Sequence, residues 1–231
     1  EQAATRVLAF LNISSIGLAS ATLGGIRTMP GELEALTFAS VENAVPVIEN
    51  NRDLIVGVKV RLSASIAGED GRYEAEGYAR ALDLADQVGL PLMVHHSMST
   101  VPLADCPGHM RPGDIYTHTY HGFESTIIHP ASRRIDDAVW QARERGVLFD
   151  VGNGQGSFNW TVAERAFAEG FTPHIISSDL HSGGVHGPTY DLTTVMTRCL
   201  HLGMPLIDII RAVTIAPARA IGWDDRIGTL E

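Results

Sequence analysis

The chain has 231 residues, 45% of them hydrophobic, and a net charge of −10 at pH 7. This length and apolar content are sufficient for one α/β domain with a substantial core. The 17 lysines and arginines are scattered rather than clustered, which argues against a nucleic acid or an anionic membrane as partner. The two cysteines form no CxxC pair, so the sequence predicts neither a disulfide framework nor a thiolate zinc site.

The remaining global features predict a cytoplasmic protein. No apolar run approaches the ~20 residues needed to span a bilayer, and no basic segment precedes an apolar one near the start of the chain. The composition is compatible with a homo-oligomer without requiring one. The chain opens at Glu1 without an initiator methionine and closes at Glu231, so we expect further sequence on both sides.

Strand-like and helix-like segments alternate along the whole chain. Near-continuously apolar runs predict buried strands at 6–13, 54–62, 92–96, 115–119, 147–151 and 175–178. Amphipathic periodicity predicts helices at 41–50, 74–88, 135–145, 162–169, 192–202 and 206–213. This alternation is typical of a parallel sheet. Residues that can bind a metal lie at or after the ends of these predicted strands, where the active site of a barrel enzyme is found. We therefore predict a (β/α)8 TIM-type barrel, with six of its eight strands visible.

Local signals refine the predicted elements. Thr161 with Glu164 predicts a capping box at the start of a helix, and Gly89, Gly146 and Gly170 are predicted to end helices. The stretches rich in glycine and serine, 14–25 and 152–157, are predicted to form loops at the barrel mouth.

Lys59 lies inside the apolar run Gly-Val-Lys-Val-Arg. An ammonium within a buried sheet is costly unless it is paired, neutralised or modified. Three interpretations stay open on this evidence: a lysine that extends from the strand end to an acidic partner, a Schiff-base lysine, and a carbamylated lysine that bridges two metals.

Two histidines occupy equivalent positions on successive predicted strands. His95 follows Leu-Met-Val, and His118 follows Ile-Tyr-Thr. Neighbouring strands lie ~5 Å apart, so two such side chains can bind one ion. A buried structural histidine is the alternative for each residue taken alone.

Asp179 follows Ile-Ile-Ser-Ser at the end of the last predicted strand. The structural alternative is an aspartate that caps a helix or forms an Asx turn. Its position at the same end of the strands as Lys59, His95 and His118 predicts a carboxylate that binds metal and moves a proton.

Four motifs together resemble the amidohydrolase superfamily, in its dihydroorotase-like deacetylase branch. They are Val-Lys-Val-Arg-Leu-Ser around Lys59, Met-Val-His ending at His95, Thr-His-Thr-Tyr-His-Gly around His118 and Ser-Ser-Asp-Leu-His around Asp179. A fifth segment, Thr-Ile-Ala-Pro-Ala-Arg-Ala at 214–220, adds to the resemblance. The resemblance runs over essentially the whole chain.

The resemblance implies a binuclear divalent centre, usually zinc, with two ions per complete active site. Carbamylated Lys59 would bridge the ions, His95 and His118 would bind one ion, and Asp179 would bind the other. The implied reaction is hydrolysis of a small-molecule acyl amide or ester by metal-activated hydroxide, with Asp179 as the catalytic proton shuttle. Neither cysteine lies in a nucleophile motif, and no Gly-x-Ser-x-Gly elbow is present.

One departure from the family pattern concerns the first barrel strand. Family members carry an His-x-His motif there, whereas this sequence contains none. Segment 6–13 resembles the third barrel strand. We therefore expect residues 1–231 to form a partial barrel catalytic domain, with two strands and a small flanking β-sandwich outside the chain.

Five further residues are weaker candidates for substrate binding. These are His96, His121, His181, His186 and Arg61, each with a structural role as the alternative. Two other functions also stay open: a Schiff-base lyase that uses Lys59, and a non-catalytic amidohydrolase-like barrel.

Overall fold

The computed structural model describes residues 5–17 and 30–230. The chain divides into two compact units, Glu1–Val101 and Pro102–Glu231. Across the described ranges, no helix is both long enough and apolar enough to cross a membrane.

The first unit is a parallel sheet backed by helices. Its strands are β1 (Ala9–Asn12), β2 (Ile55–Leu62) and β3 (Leu92–His96), in that order across the sheet. Its helices are α1 (Val41–Glu49) and α2 (Glu74–Val88). Helix α2 packs on both α1 and β2, which covers one face of the sheet.

The alternation of side chains along β2 separates two faces. Val58, Val60 and Leu62 are all 0% exposed, whereas Lys59 and Arg61 are partly exposed. Successive strand residues point to opposite faces, so the apolar side chains face the core and the two basic side chains share the other face.

The second unit contains two short parallel strands and five helices among its described residues. The strands are β4 (Ile115–Thr117) and β5 (Leu148–Phe149). The helices are α3 (Asp137–Glu144), α4 (Trp160–Ala168), α5 (Leu192–His201), α6 (Leu206–Val213) and α7 (Ile215–Ala220). Aromatic rings fill the core beside β5, where Phe149 and Phe171 meet edge to face at 4.9 Å.

The strands of the second unit are shorter than predicted. Strand β4 ends at Thr117 because His118 has a φ of 64°, in the left-handed region that no strand uses. The predicted strand 175–178 contributes one parallel bridge, between Asp150 and Ile175. Backbone hydrogen bonds extend this pairing, because Asn153 N–H donates to the Ser177 carbonyl at 3.2 Å.

The helix signals were partly right. Gly89, Gly146 and Gly170 follow helices with φ of 63°, 99° and 81°, which confirms the predicted glycine ends. The capping box was wrong, because Asn159 caps α4 by accepting from the Val162 N–H at 3.2 Å. Helix α7 was not predicted, and residues 18–25 of the predicted loop 14–25 lie outside the described residues.

His174 makes the second unit sensitive to acid. Its Nδ1 accepts from the Phe149 N–H at 3.0 Å, and burial together with nearby Arg143 lowers its pKa to about 4. An unfolded histidine has a pKa of about 6.5, so the folded state favours the neutral ring. This contribution to stability is complete above pH ~6.5 and is lost as the pH falls toward ~4.

We therefore expect the melting temperature to fall between pH 6.5 and 4, and to fall less in His174→Asn. The asparagine Oδ1 can still accept from the Phe149 N–H but does not titrate. Thermal unfolding followed by circular dichroism across this range measures both proteins. Identical pH profiles would show that His174 does not carry the effect.

Candidate active site

Lys59, Arg61 and His95 share the less buried face of the first unit's sheet. Lys59 pairs in register with Met93, and Arg61 pairs with His95. Residues paired in register on parallel strands point to the same face. The structure therefore brings these three predicted site residues onto one face, in the carboxyl-terminal halves of β2 and β3.

Arg61 is held by a buried carboxylate. Its Nε lies 3.1 Å from Oε1 of Glu32, which is 1% exposed. Asn12 donates from Nδ2 to the other oxygen of Glu32 at 2.8 Å. The Arg61 charge is thereby engaged within the protein, which agrees with the structural alternative for this residue.

The two adjacent histidines of β3 have different environments. His95 is partly exposed, and its Nε2 lies 2.5 Å from the Ser97 hydroxyl. This hydrogen bond engages Nε2, so a metal ion at that nitrogen would have to displace the Ser97 hydroxyl. His96 is 0% exposed on the opposite face, and its Nε2 donates to the Val101 carbonyl at 2.8 Å. Burial lowers the pKa of His96, so it is a neutral packing residue.

His118 of the second unit has a fixed ring orientation. The residue is 5% exposed and directly follows β4. Its Nδ1 donates to the Gly152 carbonyl at 2.6 Å. Because the carbonyl can only accept, the proton is on Nδ1 and the lone pair is on Nε2, as in metal-binding histidines.

Asp179 lies beside the same loop as His118. No helix follows it directly, and the residue that caps α5 is Asp191, so Asp179 is not a helix cap. A Cβ built on Gly154 would lie 2.6 Å from Asp179 Oδ2. His118 thus contacts Gly152 and Asp179 contacts Gly154. Both predicted residues therefore lie against segment 152–154.

A buried carboxylate that the sequence analysis missed lies next to this pair. Asp150 is 1% exposed, and its Oδ2 accepts from the hydroxyls of Thr117 at 2.6 Å and Ser177 at 2.8 Å. The signal was present in the sequence, because Asp150 also ends an apolar run.

The other candidate histidines of the second unit divide by exposure. His121 is 0% exposed, and its Nδ1 accepts from the Phe123 N–H at 3.2 Å, so its position is structural. His181 and His186 are exposed on the loop 180–190. This loop is anchored to the loop 152–154, because the Thr189 hydroxyl donates to the Gly154 carbonyl at 2.7 Å.

The chemistry of the donors suits a divalent ion. Imidazole nitrogen and carboxylate oxygen are both zinc ligands. Lys59 and His95 belong to the first unit, and His118 and Asp179 belong to the second. Within residues 5–17 and 30–230, no cluster of three or more His, Cys, Asp or Glu side chains is placed to hold a metal ion. The four-residue ligand set therefore stays a prediction.

The cysteines offer no competing nucleophile. Cys106 and Cys199 are both buried, and neither is in a disulfide. Burial raises the pKa of the Cys199 thiol to about 12, so it is protonated at neutral pH and poorly nucleophilic.

Relatives of known name match almost the whole chain. No family model matches the sequence. A deacetylase from Enterococcus faecalis is 34% identical over 237 residues, which cover 100% of this chain and 60% of the relative. A deacetylase from Agrobacterium fabrum is 32% identical over 228 residues, which cover 97% of this chain and 53% of the relative. The chain thus spans a little over half the length of these curated relatives.

Solved structures agree with the sequence relatives. The crystal structure of an adenine deaminase is 33% identical with a TM-score of 0.87, covering 100% of this chain and 60% of that chain. The crystal structure of a dihydroorotase is 32% identical with a TM-score of 0.81. The match covers 95% of this chain and 56% of the dihydroorotase chain. The fold is therefore α/β and forms part of a (β/α)8 barrel, as predicted.

The chain belongs to the amidohydrolase superfamily, and it is similar to proteins named deacetylase, adenine deaminase and dihydroorotase. The likeness to the two deacetylases covers nearly every residue of the chain, which confirms the resemblance drawn from the four motifs.

Proposed function

We propose that this chain contributes to the catalytic barrel of a hydrolase that cleaves an amide or ester bond of a small molecule. One observation carries the proposal: relatives named deacetylase align with the chain from end to end at 32–34% identity. The local geometry supports it, because His118 and Asp179 both lie against segment 152–154 and the His118 ring presents Nε2.

The proposed metal ligands are Lys59 as a carbamate, His95, His118 and Asp179, with two zinc ions per complete active site. Divalent ions held there supply Lewis acidity and lower the pKa of water toward neutrality. The His118 ring presents Nε2 because Nδ1 is fixed by Gly152. His95 Nε2 is bonded to the Ser97 hydroxyl in this structure, and a metal ion at that nitrogen would replace this bond.

The composition of the chain supports a chemical role for Lys59. It is the only lysine among the 17 basic residues, so arginine occupies the other 16 positions. Arginine stays protonated and cannot form a carbamate, whereas a lysine deprotonates when it is desolvated. The one lysine of this sequence therefore lies on the strand that is expected to supply the metal bridge.

Asp179 is the proposed proton shuttle. Its carboxylate is exposed and lies against Gly154, where the absence of a side chain leaves room for it. A carboxylate in this position takes a proton from the attacking water and delivers it to the leaving nitrogen or alkoxide. His181 and His186, exposed on the neighbouring loop 180–190, are the proposed substrate contacts. Arg61, His96 and His121 have structural environments and are left out of the proposed substrate site.

We expect Asp179→Asn to lower kcat by about 10² or more with metal largely retained, because proton transfer by a positioned group contributes 10² to 10⁴. The matched control is Asp191→Asn, an exposed aspartate after the same loop whose side chain caps α5. Asparagine caps a helix as well as aspartate, so this control should keep normal activity. Steady-state kinetics and elemental analysis measure both variants. Near-normal turnover of Asp179→Asn would move the shuttle elsewhere, with His181 as the next candidate.

The function itself is tested on the intact polypeptide that carries these residues. We expect N-acetyl amino acids or simple acyl esters to be hydrolysed, activity to be lost on chelation, and zinc to restore it. Activity that survives complete metal removal would contradict the proposal. Borohydride trapping of a carbonyl substrate on Lys59 would instead support the lyase, and a metal-loaded protein that hydrolyses no acyl compound would support the non-catalytic barrel.

A further inference from the structure

Asp150 holds the backbone on both sides of His118. On the near side, its Oδ2 accepts from the Thr117 hydroxyl at 2.6 Å. On the far side, its carbonyl accepts from the Thr119 N–H at 3.2 Å and the Thr119 hydroxyl at 2.8 Å. Both threonines are buried, so these bonds are shielded from water. One residue thus fixes both neighbours of His118.

The same carboxylate also reaches the chain segment that leads to Asp179. Its Oδ2 accepts from the hydroxyl of Ser177, two residues before Asp179, at 2.8 Å. A single carboxylate oxygen therefore connects the two segments that present His118 and Asp179.

These bonds act where backbone pairing stops. His118 and Asp179 have φ of 64° and 45°, so neither residue can continue a strand. The ladder that fixes the direction of a strand is lost at the residues whose side chains must be placed most accurately. Hydroxyl bonds to a buried carboxylate add a restraint one and two residues before them, beside backbone bonds such as that from the Gly154 N–H to the Ser178 carbonyl at 3.0 Å.

Burial of a carboxylate in the core has an unfavourable free energy. Burying one is unfavourable unless strong hydrogen bonds compensate, and an apolar residue of similar size would stabilise the core more simply. Asp114, the other buried aspartate among the described residues of this unit, forms an ion pair with Arg111. Its Oδ1 lies 2.9 Å from the Arg111 Nη2. Asp150 is instead bound by hydroxyls of the two segments that carry proposed site residues.

We propose that Asp150 is a positioning residue, which aligns His118 and Asp179 through Thr117 and Ser177. This inference rests on the proposed function, in which those two side chains bind metal. Residues that orient metal ligands through hydrogen bonds contribute about 10- to 100-fold to metal affinity or activity.

The test removes each hydroxyl and then restores it. Thr117→Val and Ser177→Ala delete a donor with little change in volume, whereas Thr117→Ser and Ser177→Thr keep it. In the intact protein we expect the first two to weaken zinc binding about tenfold and to lower kcat with little change in KM. The hydroxyl-keeping variants should lie close to wild type. Zinc affinity is measured by competition with a chelator, and all proteins are compared by thermal unfolding.

Asp114→Asn is the control for a general effect of buried aspartates. Asp114 is 1% exposed, as is Asp150, but it precedes β4 at the opposite end of the strand. Its replacement should lower the melting temperature with zinc affinity preserved. Equal loss of zinc affinity in this control, or none in Thr117→Val and Ser177→Ala, would overturn the inference while the wild-type activity stands. A wild-type protein without metal and hydrolytic activity would overturn the proposed function and this inference together.

Discussion

Lys59→Ala is expected to abolish hydrolysis, with kcat/KM falling by at least about 10³. The side chain lies on the less buried face of β2, paired in register with Asn12 on one side and Met93 on the other. As a carbamate it would supply the bridging oxygens of the metal centre, whose charge stabilisation is worth several kcal/mol. Removal of the side chain leaves room for a small carboxylate, so acetate or propionate should restore part of the activity.

Lys59→Arg is the control that separates the carbamate from the charge. Arginine keeps the positive charge on the same strand but cannot be carbamylated. We expect it to be as inactive as Lys59→Ala and to be insensitive to added carboxylic acids. A carbamate can also be detected directly by carbon-13 NMR after incubation with labelled bicarbonate, as a signal that Lys59→Arg removes. Near-normal activity of Lys59→Arg would contradict a carbamylated ligand.

Gly152→Ala is expected to displace His118 and to lower metal affinity or activity by about 10- to 100-fold. A Cβ at this position would lie 2.8 Å from His118 Nδ1 and would also collide with the Thr117 hydroxyl. The first group is part of the imidazole itself, and the second belongs to the residue before it. Displacement of either group therefore moves the His118 imidazole. Gly152 also has a φ of 49°, which adds about 1 kcal/mol of strain for alanine.

Gly170→Ala is the control that introduces backbone strain without a steric collision. Gly170 has a φ of 81°, but a Cβ built there meets no atom within 4 Å. The control should therefore lose about 1 kcal/mol of stability and keep its zinc affinity. Zinc competition and thermal unfolding of the two variants decide the outcome. Equal zinc affinities would show that His118 is not held against Gly152 as described.

Several parts of the fold were predictable because they depend on local pattern. Helix α2 has its predicted bounds, Glu74–Val88, since its apolar periodicity is regular and Gly89 ends it. Strand β3 also matches, because its run of apolar residues is short and bounded. The bounds of β4 and of the pairing at 175–178 were not predictable, because the residues that end them adopt left-handed backbone angles.

The sequence could nominate the candidate site only from the positions of residues near strand ends. Parallel strands place their carboxyl ends at one edge of a sheet, so side chains that follow those ends are candidates for one site. The sequence could not decide which candidates have structural roles. His95 and His96 are adjacent, and only their burial distinguishes the partly exposed residue from the packing residue.

The sequence by itself determined the α/β alternation and the family, and it predicted Lys59, His95, His118 and Asp179 as a ligand set. These follow from apolar periodicity and from short motifs, which are properties of neighbouring residues. Only the tertiary structure decided that Glu32 engages Arg61, that Gly152 holds the His118 ring and that Asp150 joins Thr117 to Ser177. Each of these interactions links residues at least 27 positions apart, and such pairings depend on how strands are placed side by side rather than on local pattern.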